Sequence, residues 1–210
     1  MRRLRGLVAI SLLMPAITAC GGDGAPGGDH PDGGPGDGAV PGDGCVGVEP
    51  IAGVGEPAAL AGITLAHNRV RAMVSRCDPL PQLEWDPALA ATAAAWVAMC
   101  RDTEAPAGLI DHNPGRSTGH PYYVGENVFG AGGAGGPNTA MQAVNLWASE
   151  VNNYDYDSNT CRGVCGHYTQ IVWRATRKVG CAIGDCPGLQ FRTSLVCNYG
   201  PGGNNGGKPY

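Results

Sequence analysis

The chain has 210 residues, enough for one ordinary domain or two small ones, but 35 Gly and 17 Pro make up about a quarter of it, so part of it cannot enter a core. Fourteen basic against 18 acidic residues leave a formal charge of −4, which excludes the basic footprint of a nucleic-acid-binding domain. Beyond the start of the chain no apolar run is long enough to span a bilayer.

The first segment has the layout of a secretory signal peptide: Arg2, Arg3 and Arg5, a mostly apolar stretch from Leu7 to Ile17, then the small residues Thr18 and Ala19. Ile17-Thr18-Ala19-Cys20 resembles a bacterial lipoprotein processing site, in which Cys20 becomes the lipid-bearing first residue and anchors the chain to a membrane. Residues 21–44 hold eleven Gly, four Pro and five Asp, so almost nothing there can be buried, and the stretch reads as a tether. All 13 aromatic residues lie between Trp85 and Tyr210. The expected division is therefore a signal peptide over 1–19, a lipidated Cys20 with a tether over 20–54, and one folded domain over 55–210. Export is the expected destination, with the protein at the cell envelope or outside the cell.

Cysteine usage agrees with export. Setting Cys20 aside leaves eight: Cys45, Cys77, Cys100, Cys161, Cys165, Cys181, Cys186 and Cys197. An even number in an exported chain reads as disulfides, although eight cysteines permit about 105 pairings. The C-x3-C spacing of Cys161 and Cys165 also suits a metal knuckle, but an oxidising compartment and the lack of a second knuckle favour disulfides.

Within the folded part, Leu60, Ile63, Ala66, Val70 and Val74 recur at steps of three and four, which predicts a helix over 57–74. Asp86-Pro87 supplies an N-cap and a first-turn proline for a second helix running to about Cys100. Asn138 can cap a third, with Met141, Val144, Ala148 and Val151 facing inward and Asn152-Asn153 ending it. A short fourth is predicted over 167–173. Strand signals come later: 178–183, then Phe191, Thr193, Leu195, Cys197 and Tyr199 in alternation, paired as a hairpin, with a third strand over 122–129. Helices before strands, with few βαβ signals, argue for an α+β fold with a small antiparallel sheet covered by helices.

Candidate chemistry rests on histidines and glutamates. His30 falls in the tether, His67 inside the first helix in a structural setting, and His120 in a Gly/Pro-flanked loop. His112 and His167 sit at junctions between loops and elements, where functional residues concentrate. Glu126 and Glu150 are similarly placed. Two imidazoles and two carboxylates suit a divalent metal site or a proton-transfer site if the fold brings them together.

Gly166-His167-Tyr168-Thr169-Gln170-Ile171-Val172-Trp173 resembles the first signature of the CAP superfamily, the cysteine-rich secretory, antigen-five and pathogenesis-related proteins. Cys197-Asn198-Tyr199-Gly200-Pro201-Gly202-Gly203-Asn204 resembles the second. His67-Asn68-Arg69, Glu84-Trp85-Asp86 and Gly125-Glu126-Asn127 extend the likeness over about residues 60–210, and Tyr154-Asp155-Tyr156 with Lys208-Pro209-Tyr210 point to the plant pathogenesis-related branch. The resemblance implies an α-β-α sandwich with a central cleft, in which His112, Glu126, Glu150 and His167 form a tetrad able to hold zinc or magnesium. His120 is the rival to His112. It also implies disulfides Cys181–Cys197 and Cys100–Cys186; for the remaining four we expect Cys161 with Cys165 and Cys45 with Cys77.

The function implied is that of a monomeric, non-enzymatic module binding a lipid or sterol-like ligand, or an envelope or host target. A metal-dependent hydrolase using Glu126 or Glu150 as base is the alternative, and a structural envelope protein with a vestigial cleft is a third. Sterol-binding members can carry an aromatic-rich loop where this chain has the bare run Gly130–Gly136, which counts against a sterol. A lipid groove between helices would instead draw on Leu65, Met73 and Trp96.

Overall fold

The structure, a computed structural model, describes residue 45 and residues 47–210 other than 76 and 106. The expected signal peptide, the expected lipidated Cys20 and the stretch 21–44 assigned to a tether lie outside the described residues.

A 3-10 turn, Ala58–Leu60, precedes helix α1, Ile63–Ala72. The single helix predicted over 57–74 is divided because Ala61 takes an extended ψ of 124° and Gly62 a left-handed φ of 84°, which glycine adopts without a Cβ clash. Strand β1, Glu84–Trp85, leads into α2, Pro87–Val97, which starts as predicted. The Asp86 carboxylate accepts from Ala88 N and Leu89 N at 2.9 and 3.0 Å, and Pro87 takes the first helical position. The helix stops before Cys100, whose φ of 44° lies outside the helical region.

Strand β2 is Gly125–Ala131, and α3, Pro137–Ser149, starts after Gly136 rather than at an Asn138 cap. A 3-10 turn, Glu150–Asn153, then delivers the chain to a two-stranded ribbon of β3, Tyr154–Asp155, and β4, Thr160–Cys161. Helix α4, Gly166–Ile171, and the hairpin of β5, Lys178–Asp185, with β6, Thr193–Gly200, complete the fold. Phe191, predicted inside the last strand, falls in the turn and is exposed.

The main sheet has the order β1-β5-β6-β2. All its pairings are antiparallel except the short parallel pair β1–β5. Side chains alternate across β5 and β6 and thereby build two cores. Val179, Cys181, Leu195, Cys197 and Tyr199 pack with α1, α3 and α4, where Trp147 is the largest buried side chain. Ala182 and Val196 pack on the other face with Ala93, Trp96 and Val97 of α2. The fold is thus an α-β-α sandwich, and both faces of β6 are covered, so all eight of its residues are buried.

Four disulfides join Cys45–Cys77, Cys100–Cys186, Cys161–Cys165 and Cys181–Cys197. The first fastens a segment that composition assigned to the tether. Ile51 N donates to Gln82 Oε1 at 2.6 Å, Asn68 Nδ2 to Ile51 O at 2.9 Å and Gln82 Nε2 to Glu49 O at 2.8 Å. The folded unit therefore takes in Cys45 and residues 47–54 as well as 55–210.

Arg71 is buried with no carboxylate partner among the described residues. Its guanidinium instead donates to the carbonyls of Pro81, Ile171, Trp173 and Thr176, clamping the loop after α4 against α1. Burial, with Arg177 and Arg174 nearby, pulls it down to about 9.

Candidate functional site

The site is built across β2, the edge strand beside β6. Residues along a strand alternate between faces, so Glu126 and Asn127 point to opposite sides of the sheet. Each holds one histidine. Glu126, with a fully buried side chain, accepts from His112 Nδ1 at 2.7 Å and from Asn113 N at 2.9 Å. With the Asn198 amide oriented to satisfy its neighbours, Asn198 donates to the other Glu126 oxygen at 3.2 Å and accepts from Ala93 N. Asn127 Nδ2 donates to the His167 carbonyl and to the Tyr199 hydroxyl, both at 3.1 Å.

The second histidine is oriented by Glu150, at the junction of α3 and the 3-10 turn. One Glu150 oxygen accepts from His167 Nδ1 at 2.6 Å; the other accepts from His167 N and Tyr168 N at 3.0 and 3.2 Å, tying down the first turn of α4. Trp147 stacks on the His167 ring, with centroids 5.9 Å apart and planes inclined by 17°. Gly125 allows this assembly: a Cβ there would collide with Gln170 Oε1, which accepts from Gly203 N.

A carboxylate can only accept, so in each pair the imidazole donates through Nδ1 and Nε2 is left over. No described protein group engages either Nε2. Both rings line one cleft of about 320 Å³ whose apolar wall includes Leu109, Ile110, Val128 and Val164. The four residues named from the sequence thus come together as two imidazole–carboxylate pairs facing a shared cavity. They do not form a cluster of four converging ligands, and among the described residues no group of three or more His, Cys, Asp or Glu is placed to hold a metal. The carboxylates orient, and the imidazoles face the cleft.

The other histidines lie elsewhere. His120 Nε2 is 3.0 Å from Thr92 Oγ1 and its ring stacks on Tyr122, away from Glu126. His67 is fully buried between the Ile63 carbonyl and the Tyr199 hydroxyl, each at 2.8 Å. The helix residues expected to line one lipid groove are separated by the sheet: Trp96 packs in the α2 layer, its indole donating to Asp111 O at 2.7 Å, while Leu65 lies in α1 and Met73 caps its C-terminal end. A smaller apolar pocket of about 170 Å³ does lie between α1, α3 and α4, bordered by Val70, Met73, Val74, Ala148, Val151 and Tyr168. Neither spacing nor composition singles out Asn198, Tyr199 or Trp147, whose roles arise from strand register and helix packing.

Comparison with known proteins gives the family and the fold. The model of CAP, the cysteine-rich secretory protein family, matches residues 65–199, more than half of the chain. The chain belongs to the CAP family. CAP relatives include GLIPR1-like protein 1 of Bos taurus, 41% identical over 149 residues that make up 66% of this chain and 56% of the bovine protein. Pathogenesis-related protein 1 of Arabidopsis thaliana is 40% identical over 150 residues, 69% of this chain and 78% of the plant protein. The chain spans little more than half the length of the bovine relative and 53% of the mouse glioma pathogenesis-related protein 1. Among solved CAP structures, venom allergen-like protein 4 of Schistosoma mansoni has a TM-score of 0.60 at 27% identity, covering 74% of this chain and 95% of that one. A structure described as NaASP2 with Zn2+ has a TM-score of 0.53 at 25% identity, covering 70% and 82%. Membership in a cysteine-rich secretory family and four disulfides mark the protein as exported.

Proposed function

We propose that this CAP domain is a non-enzymatic binding module held at the cell envelope through a lipidated Cys20, whose cleft takes a divalent metal on His112 and His167. One observation carries the metal reading: two imidazoles on one cleft, each with Nδ1 donated to a carboxylate and Nε2 unengaged. That is the arrangement in which a carboxylate behind the ring fixes the tautomer and raises the basicity of a metal-ligating histidine. The donor set fits zinc, with His112 and His167 as protein ligands and solvent completing the coordination. Bound there, the ion supplies a positive centre for an oxygen or nitrogen of a ligand. Two protein ligands make a weaker site than the four of a structural zinc centre.

The same geometry disfavours hydrolysis. A metal-water hydrolase needs a carboxylate free to take a proton. Glu126 and Glu150 are each engaged on both oxygens by imidazole, backbone and amide donors. A lipid-like ligand is supported separately by the apolar pocket between α1, α3 and α4.

Calorimetric titration with zinc tests the metal site. Wild type is expected to bind one ion and His167→Ala to lose at least tenfold in affinity, in keeping with removal of one of two ligands. Equal binding by both proteins rejects the site.

A further inference from the structure

We infer that the outer edge of β2 is a docking site for an extended peptide, which pairs with it as a further strand along the floor of the cleft. The inference rests on the reading of this cleft as a binding site and adds the kind of partner it takes. The pairing of the sheet shows which backbone groups of β2 are free. Cys181 and Cys197 face each other with Cα atoms 4.1 Å apart, the short spacing of an antiparallel pair that exchanges no hydrogen bonds. Just past the end of the same ladder Cys186 N donates to Arg192 O, so the even-numbered residues of β6 bond to β5. Thr193, Leu195, Cys197 and Tyr199 therefore turn to β2 and bond to Ala131, Phe129, Asn127 and Gly125. The N–H and C=O groups of Glu126, Val128 and Gly130 point the other way, out of the sheet. At Val124, the preceding residue of that phase, both groups are taken: N–H donates to Ser117 Oγ at 2.9 Å and the carbonyl accepts from Arg116 Nε at 2.8 Å. No described group engages those of Glu126, Val128 and Gly130.

The cleft meets this edge. His112 reaches it from one face of the sheet and His167 from the other, with Val128 in the lining between them, and a cavity bordered from both faces lies around the rim of a sheet. Val128 is only 6% exposed, and backbone groups so deeply set are rarely left without a partner. A peptide strand supplies N–H and C=O groups at the spacing of this ladder and sends successive side chains to opposite sides. One set meets Leu109 and Ile110 on the α2 side; the other meets Val164 beside His167. The lining holds Glu104 and Asp111 and no Lys or Arg, so a strand with a basic side chain suits it better than an acidic one. Such a peptide bonds to backbone groups and draws on neither imidazole Nε2, the atoms assigned to the metal. At about 320 Å³ the recess accepts a short stretch of one strand and not the rim of a second copy of this sheet.

The test uses the full chain, freed of metal, and an acetylated, amidated hexapeptide of alternating valine and threonine in which one central threonine is replaced by lysine. Calorimetric titration is expected to show binding. The same peptide methylated at every backbone nitrogen is expected to bind about tenfold more weakly or worse, having lost its strand donors. Amide exchange followed by NMR locates the contact. Asn127 and Phe129 are expected to be protected already in the free protein, and Val128 and Gly130 to gain about tenfold or more in protection once the peptide is bound. Failure of the hexapeptide to bind overturns the proposal, as does binding that the methylated peptide matches or that leaves exchange at Val128 and Gly130 unchanged. A free protein that is dimeric with those two amides already protected also overturns it, because a second copy then fills the edge. Glutamate in place of the lysine is expected to weaken binding, and equal affinity removes the charge preference. A parallel zinc titration separates the two readings. Zinc uptake without peptide binding removes the strand site alone; peptide binding that protects Val128, without zinc uptake, removes the metal site and leaves this one standing.

Discussion

His67 shows how much one buried side chain fixes. The Ile63 carbonyl can only accept, so Nδ1 of His67 carries the proton and Nε2 must accept from the Tyr199 hydroxyl. Tyr199 in turn accepts from Asn127, whose amide also holds the His167 carbonyl, so a single chain of hydrogen bonds runs from the core to the cleft. A charged imidazole would break it, and desolvation lowers His67 to about 4. The unfolded chain, with an ordinary histidine, binds this proton first as the pH falls. The stability His67 contributes is therefore fully present above about pH 6.5 and lost between there and pH 4, by about 3 kcal/mol in total. Urea midpoints measured across this range should fall for wild type, and His67→Gln should flatten that part of the profile. From the sequence, His67 was legible as structural because it sits within a helix beside Asn68 and Arg71, where a structural hydrogen bond is the commoner role. The Asn127 role was not, because it depends on which face of β2 meets α4.

At the scale of elements, α2 packs closely on β5. Gly180, Ala182 and Gly184 form the face of β5 that meets α2, and a Cβ at Gly180 would strike Ala90 N, Asp86 O and Leu89 Cβ. Two of these atoms are backbone and cannot swing away. Gly180→Ala should therefore cost about 1–3 kcal/mol through overpacking and lower the melting temperature by several degrees. Gly188→Ala, where the new methyl meets nothing within 4 Å, serves as a control expected to be near neutral. The capped start of α2 and the hairpin of β5 and β6 could be read in advance because Asp86-Pro87 and the period of two are local signals. The β3–β4 ribbon and the parallel β1 could not. Each of these strands is two residues long, too short to show a period, and β1 exists only through pairing with β5 far along the chain.

For the whole molecule, composition separated a Gly/Pro/Asp-rich leader from the fold but placed the boundary too late. The clasp of Cys45 to Cys77 and the contacts of Ile51 belong to partners that lie more than 30 residues along the chain or across the fold, so no local count reveals them. The leader bears on the anchoring proposed above. Metabolic labelling with a palmitate analogue should mark the wild-type protein and leave Cys20→Ser unmarked; equal labelling removes the lipid anchor and leaves the rest of the functional reading untouched.

Adjacent residues of β6 support the two halves of the cleft from behind. Asn198 reaches Glu126 on one face, and Tyr199 reaches Asn127 on the other. This strand is also the most thoroughly covered element of the sandwich. Segments buried on both sides open only when the whole domain opens. The cleft therefore has no cheap local melting route of its own. Its histidines keep their orientation for as long as the domain remains folded, and a ligand that binds there acts as a brake on global unfolding.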